Sequence, residues 1–327
     1  MLITPQNLNL FFTNLETRFW QAYGAAPEFT SRIATTYAVS SEQWASGWIG
    51  MLNEMREWVG PRKVSSPAPQ TYVVPIQNFE LTESVDQFKL ADDTYGIYAP
   101  MVDFMGTQAK KWSDYQLRDL LLNQGSQTGA RQKGLDGLNH WSQVHPVNFY
   151  DTSYGTYSND FLGGLSVNGV TVGGALSTTA FSTLWQEIAS RKSENGEALG
   201  VMADLSMYAP QLKYTMDSIL QAQFLAPATI GNLTGLVGSS ENLLKGMTDS
   251  LMVPELAAAP NNWYELVTNR AIKPFSWLMR QAPDFVYRIS PQDPVVFDTH
   301  TNLYGSTARG APAWSFAWLS ARSGPTP

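Results

Sequence analysis

The stretch from Pro61 to Leu90 restricts the fold more than any other part of this chain. It begins PRKVSSPAPQTYVVPIQ. Pro61, Pro67, Pro69 and Pro75 remove backbone donors and interrupt helices, so this part is expected to be extended and exposed. QNFELTESVDQFKL follows. Phe79, Leu81 and Val85 share one parity, while Phe88 and Leu90 take the other. That pattern predicts a strand with a slip or bulge near Asp86. Together, residues 60–90 predict a long two-stranded excursion. An isolated hairpin is marginal in water. The excursion must therefore lie on something else.

Helical patterns flank it. Thr4-Pro5 signals a helix start, with Thr4 as cap and Pro5 in the first turn. Leu8, Phe12, Leu15, Phe19 and Tyr23 then form one apolar stripe, and Gly24 follows. This stripe needs cover, and a neighbouring subunit is one source. On the other side, residues 92–122 read as one long helix stopped near Gly125. Ile97, Met101, Phe104, Met105, Ala109 and Trp112 line one broad face, continued by Leu117, Leu120 and Leu121. Asp92 and Asp93 suit the entrance, where carboxylates accept from free N–H groups and complement the helix dipole. Each effect contributes on the order of 1 kcal/mol.

Downstream, LSVNGVTV places Asn168-Gly169 between alternating residues and predicts a hairpin with a type I′ turn. STTAFSTLWQEIASR reads as a helix capped at Ser177 or Thr178, with Phe181, Leu184, Trp185 and Ile188 inward. PQLKYTMDSILQAQF reads as another, with Leu212, Met216, Ile219 and Leu220 buried. GVMADLSMYAP, DSLMVPEL and NWYELVTN suggest strands. The last 55 or so residues alternate short strands with proline turns, and SARSGPTP reads as a frayed end. The fold class is α+β.

Composition narrows the function. Charged residues are 15% of the 327, against a usual ~25%, and aromatics reach 12%. A chain so poor in charge is expected to hide surface against partners. The net charge of −7 and the lack of a basic tract argue against strong nucleic-acid binding. With no cysteine, thiolate metal sites and Cys nucleophiles are excluded. No signal-peptide pattern or long apolar run predicts a membrane segment. His140 and His145 lack the partners of a zinc site, and neither HExxH nor GxSxG occurs. GGLSVNGVTVGG owes its glycines to the Asn-Gly hairpin rather than to a dinucleotide loop. No catalytic residue, metal site or cofactor is expected.

Several segments, in order, resemble one family. They are ITP near the start, GWIGMLNEMREWVGPR, NFELTESVDQFKLADDTYGIYAP, GLNHWSQVHPV, NWYELVTNRAIKPFSW and YGSTARGAPA. The chain is similar to the major head subunits (major capsid proteins) of Mu-like tailed bacteriophages. The resemblance implies the HK97-like phage capsid fold. Residues 1–55 would be an N-terminal arm and 56–91 the E-loop. Residues 92–149 would be the peripheral domain with its spine helix, and 150–245 mainly the axial domain. Residues 246–327 would return to the peripheral domain. The implied function is self-assembly into hexamers and pentamers of an icosahedral head enclosing double-stranded DNA.

The implied partners are copies of the chain, a separate scaffold protein, a portal, a decoration protein and packaged DNA held without strong specific binding. The implied location is the virion, with assembly in the host cytoplasm. A subunit interface is expected around Trp58, Arg62, Lys63, Tyr72, Phe79, Phe88, Asp92 and Asp93, with Phe12 and Phe19 on the N-terminal stripe. One alternative is an encapsulin-like nanocompartment shell of the same fold. Another is a hydrolase whose site assembles in space around His145 or His300.

Overall fold

A computed structural model describes residues 4–48, 70–92, 96–148, 151–194, 196–225 and 240–326. The N-terminal part holds α1 (Pro5–Ala25), β1 (Ala34–Ala38), β2 (Gln43–Trp48), β3 (Gln70–Pro75) and β4 (Gln77–Asp86). A short helix α2 (Gln87–Ala91) and the long helix α3 (Tyr98–Leu122) follow. The middle holds β5 (Asp160–Leu162), the hairpin β6 (Leu165–Val167) and β7 (Val170–Val172), α4 (Thr178–Ala189), β8 (Leu205–Tyr208) and α5 (Lys213–Leu220). The C-terminal part adds β9 (Asp249–Met252), β10 (Trp263–Leu266), β11 (Phe275–Gln281), β12 (Val286–Arg288), α6 (Pro294–Thr299), β13 (Thr301–Trp314) and β14 (Ser320–Gly324).

Two five-stranded sheets carry the subunit. In the first, β13 is the organising strand. Its residues 301–310 pair antiparallel with Asp86 back to Gln77, and residues 309–314 pair with β11. β12 also pairs with β13, and β1 lies parallel to β11. The second sheet runs β9-β8-β10-β14-β5. One apolar core joins the two sheets to the C-terminal half of α3 through Leu117, Leu120, Leu121, Trp277, Trp314, Tyr264 and Leu266. A second core lies between the second sheet and helices α4 and α5, around Phe181, Leu184, Met216 and Trp263.

Local signals account for several elements. Thr4 caps α1, its hydroxyl accepting from Asn7 N at 3.2 Å. Ser177 caps α4 by accepting from Ala180 N. Asn168 and Gly169 both have positive φ, as a type I′ turn between β6 and β7 requires.

Other expectations are corrected. β4 has no bulge: its ladder with β13 keeps register over the whole strand. The parity change at Asp86 marks the end of the strand. Asp86 caps α2, accepting from Phe88 N at 2.8 Å and Lys89 N at 3.0 Å. Asp92 is the C-cap of α2 and does not open the long helix. That helix starts later, at Tyr98, after Gly96 with φ of 65°. The N-terminal half of α3 also turns differently. Met105 and Ala109 of the expected face are buried, joined by Tyr98 and Val102, while Ile97, Met101 and Phe104 face solvent. Both sides of this half are apolar, so periodicity alone does not choose between them.

The C-terminus is not frayed. β14 is an interior strand between β10 and β5. Its serines look like tail composition, yet they serve buried hydrogen bonds. Ser323 Oγ accepts from Gly174 N at 2.8 Å, and Arg322 pairs with Asp160. The preceding region carries one 14-residue strand, β13, rather than only short strands between prolines.

Candidate assembly surface

The expected interface residues fall into three groups. Trp58, Arg62, Lys63 and Asp93 lie outside the described residues. Phe12 and Phe19 are fully buried within their own subunit. α1 packs along α3, and Gly106 permits the close approach, because a Cβ there would overlap the Phe19 carbonyl oxygen. Phe12 stacks on Tyr287 at 5.4 Å between ring centroids, and Phe19 meets Phe285 at 5.1 Å. The stripe is therefore covered by the chain's own helix and strands, and needs no neighbouring subunit.

The third group brackets the excursion. β2 and β3 pair antiparallel from Gln43↔Pro75 to Trp48↔Gln70. The base of the excursion thus begins at Gln43. This base is bound to its own subunit: Tyr72 and Val74 are buried against Leu278, Ala311 and Ala313. Burial pushes the Tyr72 phenol up to about 12, and its oxygen accepts from Trp314 N at 3.4 Å. Phe79 is half-buried with its ring 5.2 Å from that of Trp112. Phe88 is largely exposed beside His300, and Asp92 is exposed.

The histidines weighed as catalytic are placed otherwise. His145 is buried, with Nδ1 on Asp136 and Nε2 facing His140 O at 2.8 Å and Asn159 Oδ1 at 3.1 Å. Neither nitrogen is left to take a proton from a nucleophile. His140 is stacked on Trp314 and bonded through Nε2 to Ser320. His300 ends α6 with a positive φ. Around this cluster, the buried Arg191 donates to the carbonyls of Ser158, Trp318 and Ser320. Burial lowers its guanidinium to about 10, so it stays charged at neutral pH. These groups tie the loop after α3 to β5 and β14.

Two buried groups give opposite pH dependences. Glu265 accepts from Ser206 Oγ at 2.6 Å, and burial raises its carboxyl to about 8. The native state therefore holds a proton that the unfolded chain releases above about 4.5. That stability is full below about 4.5 and is lost as pH rises through about 8. Glu265→Gln should gain stability relative to wild type over this window, approaching about 1.4 kcal/mol per pH unit. For His140, burial and the nearby His145, Arg322 and Arg191 hold the imidazole well below its ordinary value. Its contribution is present above about 6.5 and is lost as pH falls below that. His140→Phe should flatten the acid limb. Denaturant unfolding from pH 5 to 9, compared across the three proteins, checks both signs.

The family described as Mu-like prophage major head subunit gpT matches residues 8–168 and 245–325. The chain belongs to this Mu-like major head subunit family. It is 29% identical over 147 residues to the major capsid protein of Escherichia phage Mu, covering 45% of this chain and 47% of that one. It is 23% identical over 145 residues to the Mu-like prophage FluMu major head subunit of Haemophilus influenzae, covering 44% and 46%. The chain thus spans about half the length of the curated relatives it matches.

Solved structures agree in fold. The procapsid of bacteriophage JBD30 aligns with a TM-score of 0.54 and 21% identity, covering 98% of this chain and 76% of that one. A virus-like particle from Pyrococcus furiosus aligns with a TM-score of 0.50 and 9% identity, covering 95% and 98%. The head subunit has the HK97-like fold.

Proposed function

We propose that this chain is the major capsid protein of a phage head. It assembles into hexamers and pentamers of an icosahedral shell around double-stranded DNA. The observation that carries this reading is the family match, which takes in both the excursion with α3 and the C-terminal sheets. Neutralisation of phosphate drives tight DNA binding, and a net charge of −7 works against it. The acidic subunit would leave packaged DNA loosely held. Scaffold, portal and decoration partners belong to the same proposal.

The middle of the chain suits the capsomer axis. From Ser218 to Ser240 there is no charged residue. Tyr214, Phe224 and Leu243, around this run, are exposed. Near a five- or six-fold axis each side chain recurs at short range, so a charge there would repel its own copies. An uncharged apolar surface avoids that repulsion.

An encapsulin-like shell would share the fold and differ in contents. Sedimentation of the purified 36.2 kDa chain should show a species many times heavier than the monomer. Particles from the source should contain DNA. A chain that stays monomeric at every salt and protein concentration contradicts the proposal, and shells filled with an enzyme favour the encapsulin reading.

A further inference from the structure

The two sides of α1 are unlike. Leu8, Phe12, Leu15 and Phe19 are buried in the subunit. On the opposite side, Leu10 and Trp20 are 63% and 41% exposed, and Thr13 and Thr17 between them are exposed as well. Their three- and four-residue spacing sets these side chains on one stripe. A surface helix ordinarily turns charge to solvent. The charged residues of α1 are Glu16 and Arg18, and both fall outside the stripe. Arg18 is held by Asp103.

The stripe has the properties of a contact surface. Thr13 Oγ1 donates to Asn9 O at 2.9 Å, and Thr17 Oγ1 donates to Thr13 O at 3.0 Å. Both hydroxyl protons are used within the helix, which lowers the cost of taking these side chains out of water. Trp20 is held edge-on by Phe19 and Tyr23, with 5.1 and 5.5 Å between ring centroids. A tryptophan fixed in advance loses little side-chain freedom on contact, and such anchors carry much of the energy of an interface.

The order of the side chains selects the partner. A two-fold contact brings the same patch of both copies together. When two α1 helices run antiparallel and cross at the level of Leu15, Leu10 meets Trp20 of the second copy, and Thr13 meets its Thr17. The large side chains then lie at the ends and the small ones at the centre, where packed helices come within about 8–10 Å of each other. A parallel pairing would set Trp20 against Trp20. With no charge in the stripe, nothing repels when it meets its own copy. We propose that α1 makes an antiparallel two-fold contact with α1 of a second copy. Four side chains from each copy fall well short of the ~800 Å² that a stable interface buries per partner. The contact therefore holds no free dimer, and joins subunits already fixed in neighbouring rings. Rings close through head-to-tail contacts, whereas a self-complementary contact links one ring to the next. This inference rests on the shell reading above and names a surface between its rings.

The chain has no cysteine, so introduced thiols report without background. Thr13→Cys and Thr17→Cys proteins, mixed, assembled into shells and mildly oxidised, should give disulfide-linked pairs containing one of each. Thr13→Cys mixed with Glu197→Cys is the control and should give at least tenfold fewer. A Thr13→Glu, Thr17→Glu protein sets like charges across the contact, and a Thr13→Glu, Thr17→Lys protein sets opposite ones. Both should keep the wild-type unfolding transition, because the sites are exposed and Glu and Lys are better helix formers than Thr. The first should still form rings and lose shell yield at least tenfold, while the second stays within about threefold of wild type. Wild-type shell yield from the first protein, equal losses from both, or linkage no greater than the control overturns the inference and leaves the shell reading standing. Loss of shells from the first protein without Thr13-to-Thr17 linkage gives the stripe to another partner and overturns it too. A wild-type chain that forms no shells, with or without a scaffold protein, overturns both.

Discussion

A chain that stops at Leu319 is expected to give no folded subunit. The lost residues include all of β14, which holds ladders to both β10 and β5. Ser320, Ala321 and Ser323 are fully buried. Their removal leaves His140 without its partner on Ser320, Arg191 without one of its carbonyls, and Asp160 without Arg322. A buried polar group left unsatisfied costs about 1–3 kcal/mol. Several such losses, together with the exposed edges of β10 and β5, should exceed the ~5–15 kcal/mol that holds an ordinary domain together. Soluble yield and far-UV circular dichroism check this. Removing only residues 325–327 should change stability by well under ~1 kcal/mol, as surface changes usually do. A folded, cooperatively melting chain ending at Leu319 would contradict the place given to β14.

The second large effect separates folding from assembly. Replacing residues 51–67 with a short Gly-Ser linker should keep the subunit folded and abolish shells. The base of the excursion stays, since β2 and β3 remain paired and Tyr72 and Val74 remain in their core. Shortening a loop changes closure entropy only slowly with length, so stability should move by about 1 kcal/mol or less. A cut extending to residue 76 is different. It removes Tyr72 and Val74 from the face of the first sheet, where deleting a large buried side chain costs roughly 2–5 kcal/mol. Thermal melts and sedimentation of the two deletions distinguish the roles. Normal shells from the linker variant would refute the role assigned to the excursion.

How far the sequence reaches depends on the range of each signal. The caps at Thr4 and Ser177 and the Asn168-Gly169 turn rest on groups within three residues, so they are legible from local pattern. The two sides of α3 are another matter. Ile97, Met101 and Phe104 compete with Tyr98 and Val102 to share the core with Met105, and α1 and β4, arriving from elsewhere in the chain, decide between them. Phe12 and Phe19 were unreadable for the same reason, because their cover comes from Tyr287 and Phe285 far along the sequence. β14 escaped because Ser-Ala-Arg-Ser-Gly has the composition of a tail. It is interior because β10 and β5 pair on either side of it and Gly174, Asp160 and Arg191 bond to it, all from far along the chain. At the candidate interface, Phe88 sits on the surface, while the short helix α2 capped by Asp86 separates the strand from the long helix and takes Asp92 away from that helix's entrance.

In the shell reading, copies of this chain form the wall of a closed head, with a scaffold protein as a separate partner. Electron cryomicroscopy of particles assembled from the purified chain, with and without a scaffold protein, tests this most directly. Closed icosahedral shells with pentamers at the vertices and hexamers between them are expected, with the uncharged run 218–240 near the axes. Isolated monomers in both preparations, or aggregates without five-fold vertices, would contradict it.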